Sequence, residues 1–135
     1  MKAREALQRV CEILREDELV AHIHLVDALD GLTVDCSVGT ETFHIACDGD
    51  LRIGEGHGPG AQVSVRSDKA SILALIDGDL GLLESVLAGR FDVLADISLM
   101  TRVSRAQRAF AEGAARARRV RPVLTRYRET GSEFA

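Results

Sequence analysis

Between Leu32 and Arg66 apolar residues fall at every second position, a period that only extended chain turns into a continuous face. Leu32, Val34, Cys36 and Val38 alternate with Thr33, Asp35 and Ser37 before Gly39-Thr40 ends the run. Phe43, Ile45 and Cys47 alternate with His44 and Ala46 up to the turn Asp48-Gly49-Asp50. Leu51-Arg52-Ile53 opens a third strand, and Gln62-Val63-Ser64-Val65-Arg66 makes a fourth. Connections this short, one of them containing Asp-Gly, predict antiparallel hairpins. Four such strands form a meander with one apolar face, and that face needs a cover.

The cover is legible on both sides of the strands. Ala3, Leu7, Val10, Cys11 and Leu14 recur at three- and four-residue spacing, which predicts an amphipathic helix over residues 3–15. Residues 18–29 fit two patterns. Asp17 can cap a helix carrying Leu19, Ile23 and Val26, while Ala21, Ile23 and Leu25 also alternate like a strand. The helix, ending near Gly31, is the favoured reading. After the strands, Ser67-Asp68 offers a cap to a helix through Ile72, Leu75 and Ile76 that stops at Gly78. Asp79 can start a short helix through Leu80, Leu83, Val86 and Leu87, stopping at Gly89. Residues 90–96 read as a fifth strand. A long helix follows, with Ile97, Met100, Val103, Gln107, Phe110 and Ala114 on one face and Pro122 as its latest end. The expected fold class is α/β in the α+β sense. About five mainly antiparallel strands are covered by helices, with an N-terminal helical segment and a long C-terminal helix. One domain over residues 1–130 is expected, with 131–135 as a tail that reads like a cloning scar.

A chain of 135 residues with 46% hydrophobic and 28% charged residues has ordinary globular composition. No apolar run approaches the roughly 20 residues of a membrane span, and Met1-Lys2-Ala3-Arg4-Glu5 lacks the apolar core of a signal peptide. Three cysteines, an odd number, favour reduced thiols and a cytoplasmic setting. The net charge of −4 hides an asymmetry, because residues 102–135 hold nine arginines and three acids. Arg102, Arg105, Arg108, Arg116, Arg118 and Arg119 are therefore candidates for contact with an anionic membrane, or for pairing with the acidic body. With four Phe, one Tyr and no Trp, the chain lacks the stacking platforms that single-stranded nucleic acid requires.

From about Leu32 to Phe110 the order of elements resembles the sterol carrier protein type two family, the non-specific lipid-transfer domain. Val63-Ser64-Val65-Arg66-Ser67-Asp68 is similar to the strand and cap that introduce that family's first covering helix. Leu75 and Gly78 match its leucine-before-glycine stop, and Gly89-Arg90-Phe91-Asp92-Val93 resembles the opening of its last strand. Asp96 sits where the family turns into its C-terminal helix, with Met100 and Val103 at apolar positions. Ala95 stands where the family commonly has glycine, and its peroxisomal targeting tail is not seen in Glu133-Phe134-Ala135. With 15 of 17 basic residues being Arg, the chain reads as a cytoplasmic bacterial relative. The resemblance implies an apolar tunnel that binds a sterol, fatty acid or acyl-CoA and transfers it inside the cell, with no cofactor. The lining it implies is Leu75, Ile76, Leu80, Leu83, Val86, Leu87, Phe91, Val93, Met100, Val103 and Phe110.

Other chemistry is weakly signalled. His22, His24, Cys36, His44 and Cys47 lack the tight paired spacing of a zinc site, so no metal is expected. Gly54-Glu55-Gly56-His57-Gly58-Pro59-Gly60 resembles a phosphate cradle, but a strand rather than a helix follows it. It reads as a loop between two strands. Asp35, Asp92 and Asp96 fall out of phase with their apolar neighbours or at a strand end, unlike a buried catalytic base. The alternatives to a carrier are a non-catalytic interaction or homodimerisation module with a closed core, and a small isomerase-like enzyme.

Overall fold

The computed structural model describes residues 1–77 and 81–129, apart from the side chain of Leu83. Helices α1 (Ala3–Asp17) and α2 (Leu19–Leu29) open the chain, so residues 18–29 take the helical alternative. Four strands follow: β1 (Thr33–Val38), β2 (Glu41–Cys47), β3 (Leu51–Glu55) and β4 (Val63–Ser67). Then come α3 (Lys69–Ile76), α4 (Leu82–Leu87), β5 (Asp92–Leu94), α5 (Ile97–Arg116) and α6 (Val120–Glu129). Asp68 and Asp96 cap α3 and α5, accepting from the amides of Ser71 at 2.8 Å and Leu99 at 2.9 Å. These bonds to backbone N–H hold both carboxyls below the usual carboxylate range.

The sheet is mixed and not a meander. Its order is β3-β2-β1-β4-β5, with β4 parallel to β1 and the other neighbours antiparallel. Parallel neighbours need a crossover, and the glycine-rich segment after β3 supplies it. Its path runs tight against the sheet face that carries Asp35 and His44. The Gly58 amide donates to Asp35 Oδ1 at 2.8 Å, and the Gly56 carbonyl lies 2.9 Å from His44 Nδ1. A Cβ on Gly58 would meet Thr33 Cγ2 at 2.9 Å, so the close approach requires glycine there. The segment joins two strands, as its composition suggests, but by crossing the sheet instead of turning back.

The opposite face, with Val34, Cys36, Phe43, Cys47 and Val63, is buried under α1, α2, α5 and α6 in one apolar core. At Gly113 a Cβ would sit 2.8 Å from both Leu14 Cδ2 and Ala21 Cβ, so α5 meets α1 and α2 at a glycine. The long C-terminal helix of the sequence reading is two helices, broken at Ala117–Arg119. Pro122 falls in the first turn of the second one instead of ending the first. Its missing N–H falls in the first turn of α6, where amides have no intrahelical partner. Ile97, placed on the apolar face by periodicity, is 86% exposed, because the buried stripe of α5 is Ala106, Ala109, Gly113 and Ala114.

No residue next to α1 caps it; a residue of β2 does. The Glu41 carboxylate accepts from the amides of Ala3 and Arg4, both at 2.9 Å, across 38 and 37 residues of sequence. A carboxylate there meets two orphan donors and the positive end of the helix dipole. Glu41→Ala is expected to lower unfolding free energy by about 1–2 kcal/mol, read from urea denaturation. A change at Lys2, the local cap position, should leave the midpoint in place.

Candidate functional site

Between the sheet and the helices lies a cavity of about 170 Å³ with an almost wholly apolar lining. Its floor is Cys36, Val38, Phe43, Ile45 and Val65 of β1, β2 and β4. Ala3, Ala6, Leu7 and Val10 of α1 form one wall, and Ile72, Leu75 and Ile76 of α3 another. Gln107 and Phe110 of α5, with Leu124 and Tyr127 of α6, complete it. The void has a simple origin in the sequence. The stripe of α1 that faces the sheet carries Ala3 and Ala6, whose methyl groups are too short to fill the space to Phe43 and Tyr127. Burial, and then the Glu41 charge, push the Tyr127 phenol up to about 12, so it stays neutral. The Lys69 ammonium sits 4.6 Å from the centre of the Tyr127 ring, close enough for a cation–π contact.

No family model and no curated protein sequence matches the chain. Solved structures do match. Sterol carrier protein domain 2 of Helicoverpa armigera superposes with a TM-score of 0.59 at 17% identity, over 79% of this chain and 89% of its own. The fold is that of a sterol carrier protein 2 domain. Sterol carrier protein 2 from Yarrowia lipolytica gives 0.54 at 11% identity, over 76% and 86% of the two chains. The ubiquinone synthesis protein UbiJ-SCP2 gives 0.55 at 14% identity, over 67% and 80%. At such identities the likeness speaks for architecture alone.

Within this sterol carrier fold the anticipated lining residues separate into groups. Leu75, Ile76 and Phe110 stand on the cavity wall. Phe91 is buried with Leu75 and Leu82 in a neighbouring apolar cluster, with Val86, Val93 and Val103 against it. Met100 is half-buried and away from the wall. Leu80 and the side chain of Leu83 lie outside the described residues. Leu87 faces solvent, 82% exposed. The reason is phase: α4 anchors through Leu82 and Ser85, with Val86 half-buried beside them, and Ser85 Oγ donates to the Gly81 carbonyl at 2.9 Å. That face, at steps of three and four, leaves Leu87 on the far side. Sequence reasoning missed the contributions of α1, β1, β2, β4 and α6. The alanines of α1 were a usable signal for a void, but nothing local says that the first and last helices share one cavity.

The arginines divide as well. Arg102 is spent inside the fold, with Nε donating to the Ala28 carbonyl at 3.0 Å and a terminal nitrogen to the Asp30 carbonyl. It thereby serves the C-terminal carbonyls of α2. Arg119 pairs with Glu16 at 2.9 Å and Asp17 at 3.1 Å, and Arg128 pairs with Asp77 at 2.9 Å. Arg105, Arg108, Arg116 and Arg118 are exposed, and none forms an ion pair among the described residues.

The crossover brings together one group that sequence order did not suggest. Ser37 Oγ lies 3.4 Å from His57 Nε2, and His57 Nδ1 lies 3.9 Å from Asp35 Oδ2. Asp35 and Ser37 share the sheet face opposite the core strand residues Val34 and Cys36. Asp35 already accepts the Gly58 amide, so the group holds the crossover in place.

All three cysteines are buried and free. Burial, then the neighbouring carboxylates of Glu12 and Asp35, push the thiols of Cys11 and Cys36 up to about 12. Burial, then Asp30, Asp50 and Asp48, raise Cys47 as well. The thiolate is the reactive form, so native thiols should be inert. Treatment with a chromogenic disulfide reagent at neutral pH is expected to modify less than one thiol per chain in minutes, and all three once urea is added.

Proposed function

We propose that the chain binds a slender apolar ligand in the cavity under α1, α3, α5 and α6 and carries it without bond chemistry. The observation that carries this reading is the cavity itself: an apolar void in a small domain that its own side chains leave unfilled. The names of the superposing proteins from Helicoverpa armigera and Yarrowia lipolytica, both sterol carriers, support it. Small-molecule pockets usually measure roughly 300–1,000 Å³. A space of about 170 Å³ suits an alkyl or prenyl chain better than a four-ring skeleton. Burying some 300 Å² of chain contributes about 7 kcal/mol before association costs, enough for reversible binding with little polar specificity. Exposed Arg105 and Arg108 on α5 offer contact with an anionic membrane during loading, at about 1 kcal/mol each near the surface.

Mass spectrometry of an organic extract of the purified protein is expected to show a lipid near one equivalent. A variant gives the sharper test. Ala6 is buried on the wall, so Ala6→Leu fills part of the void with the protein's own atoms. It should weaken a fluorescent fatty acid by tenfold or more while raising the thermal midpoint by a few degrees. Leu87→Arg, a change on the exposed side of α4, should leave affinity unchanged. Undiminished binding by a folded Ala6→Leu protein would place the ligand elsewhere.

A further inference from the structure

Beside the apolar cavity lies a second recess of about 430 Å³, and the two share a boundary at Ile76 and Leu124. The second one is cationic. It is formed where the end of α3 meets the α5–α6 junction and the outer side of α6, and it holds Arg116, Arg118, Arg121 and Arg128 against one carboxylate, Asp77. Arg128 holds that carboxylate through both oxygens, at 2.9 and 3.1 Å. Arg116, Arg118 and Arg121 are exposed and have no acidic partner among the described residues.

Fold stability accounts for only part of this charge. Arg116 ends α5 and meets the negative end of that helix dipole. Arg118 and Arg121 stand at the opposite kind of end. They flank the first residue of α6, Val120, where the dipole is positive and a cation is unfavourable. Arg119 stands between them, and Glu16 and Asp17 neutralise it. Nothing among the described residues does the same for Arg118 and Arg121. An anion from outside the chain would.

Resting on the carrier reading, we propose that this recess is the head-group site for a single-chain lipid that ends in a phosphate. The alkyl or prenyl chain lies in the cavity, passes Ile76 and Leu124, and delivers its head to Arg116, Arg118 and Arg121. A phosphate fits this set better than a carboxylate. It offers three acceptor oxygens and up to two negative charges, so several planar guanidinium forks can engage it at once. The same chemistry can come from free phosphate or from a membrane surface, and the experiment separates these sources.

The probes are decyl phosphate and decanol, which share a chain and differ in the head, titrated calorimetrically below their aggregation limits. Wild type should bind decyl phosphate about tenfold or more tighter than decanol. Arg118→Gln/Arg121→Gln should bring decyl phosphate to the decanol level and leave decanol unchanged. Because both residues are exposed, this variant should stay folded, and its decanol affinity reports whether it has. Equal wild-type affinity for the two probes would overturn the head-group site and leave the carrier reading standing. Failure of both probes to bind would overturn both readings. Inorganic phosphate displacing decyl phosphate as strongly as decyl phosphate displaces itself would mean a free-anion site, against the proposal. Phosphatidylglycerol vesicles provide the last arm. If the double variant loses vesicle binding while wild type does not distinguish the two probes, the arginines serve a membrane surface and the proposal falls.

Discussion

The parallel pairing of β1 with β4 organises the molecule. It makes β1 the middle strand of five and sets Cys36 beside Val65, while the antiparallel pairing with β2 sets Phe43 on its other side; all three are residues of the cavity floor. Parallel neighbours cannot be joined by a tight turn. The chain therefore spends residues 56–62 on a crossing, and Gly58 is there because no Cβ fits between it and Thr33. The same pairing fixes where α3 begins, since Asp68 caps it directly after β4. The α3 wall of the cavity follows from strand order.

A second long-range contact closes the site from the other end of the chain. Glu41, at the start of β2, holds the first amides of α1 and so places the alanine stripe of that helix over the floor. Burial first, and the Glu41 charge second, raise the Tyr127 phenol on the far wall. One carboxylate thus links β2 to α1 beside the void. The arginine-rich end of the chain is not one surface. Arg102, Arg119 and Arg128 tie α5 and α6 to α2, α1 and the end of α3, while Arg116, Arg118 and Arg121 gather at the break between the last two helices.

The legible parts of the sequence were those in which a residue's neighbours along the chain decide its state. Alternation marked every strand, Asp68 and Asp96 marked two helix starts, and the order of elements suggested the sterol carrier fold that the superpositions show. Errors arose where a partner distant in sequence outweighs the local signal. Ile97 continues the apolar phase of α5 and yet faces solvent, because the fully buried stripe of that helix begins only at Ala106. Pro122 looked like a stop because a missing amide is costly inside a helix; at a helix start it costs nothing.

By itself, then, the sequence determined most of the elements, the caps of α3 and α5 and the presence of one apolar sheet face, because period and local capping depend on residues within a turn or two of each other. Only the tertiary structure decided that β4 lies parallel beside β1, that the first and last helices wall one cavity, and that Arg119 and Arg128 pair with carboxylates of other elements. Those facts depend on contacts between residues tens of positions apart, such as Glu41 with Ala3 and Arg119 with Glu16. No local pattern encodes them, since each side chain meets its partner only after the sheet has brought the segments together.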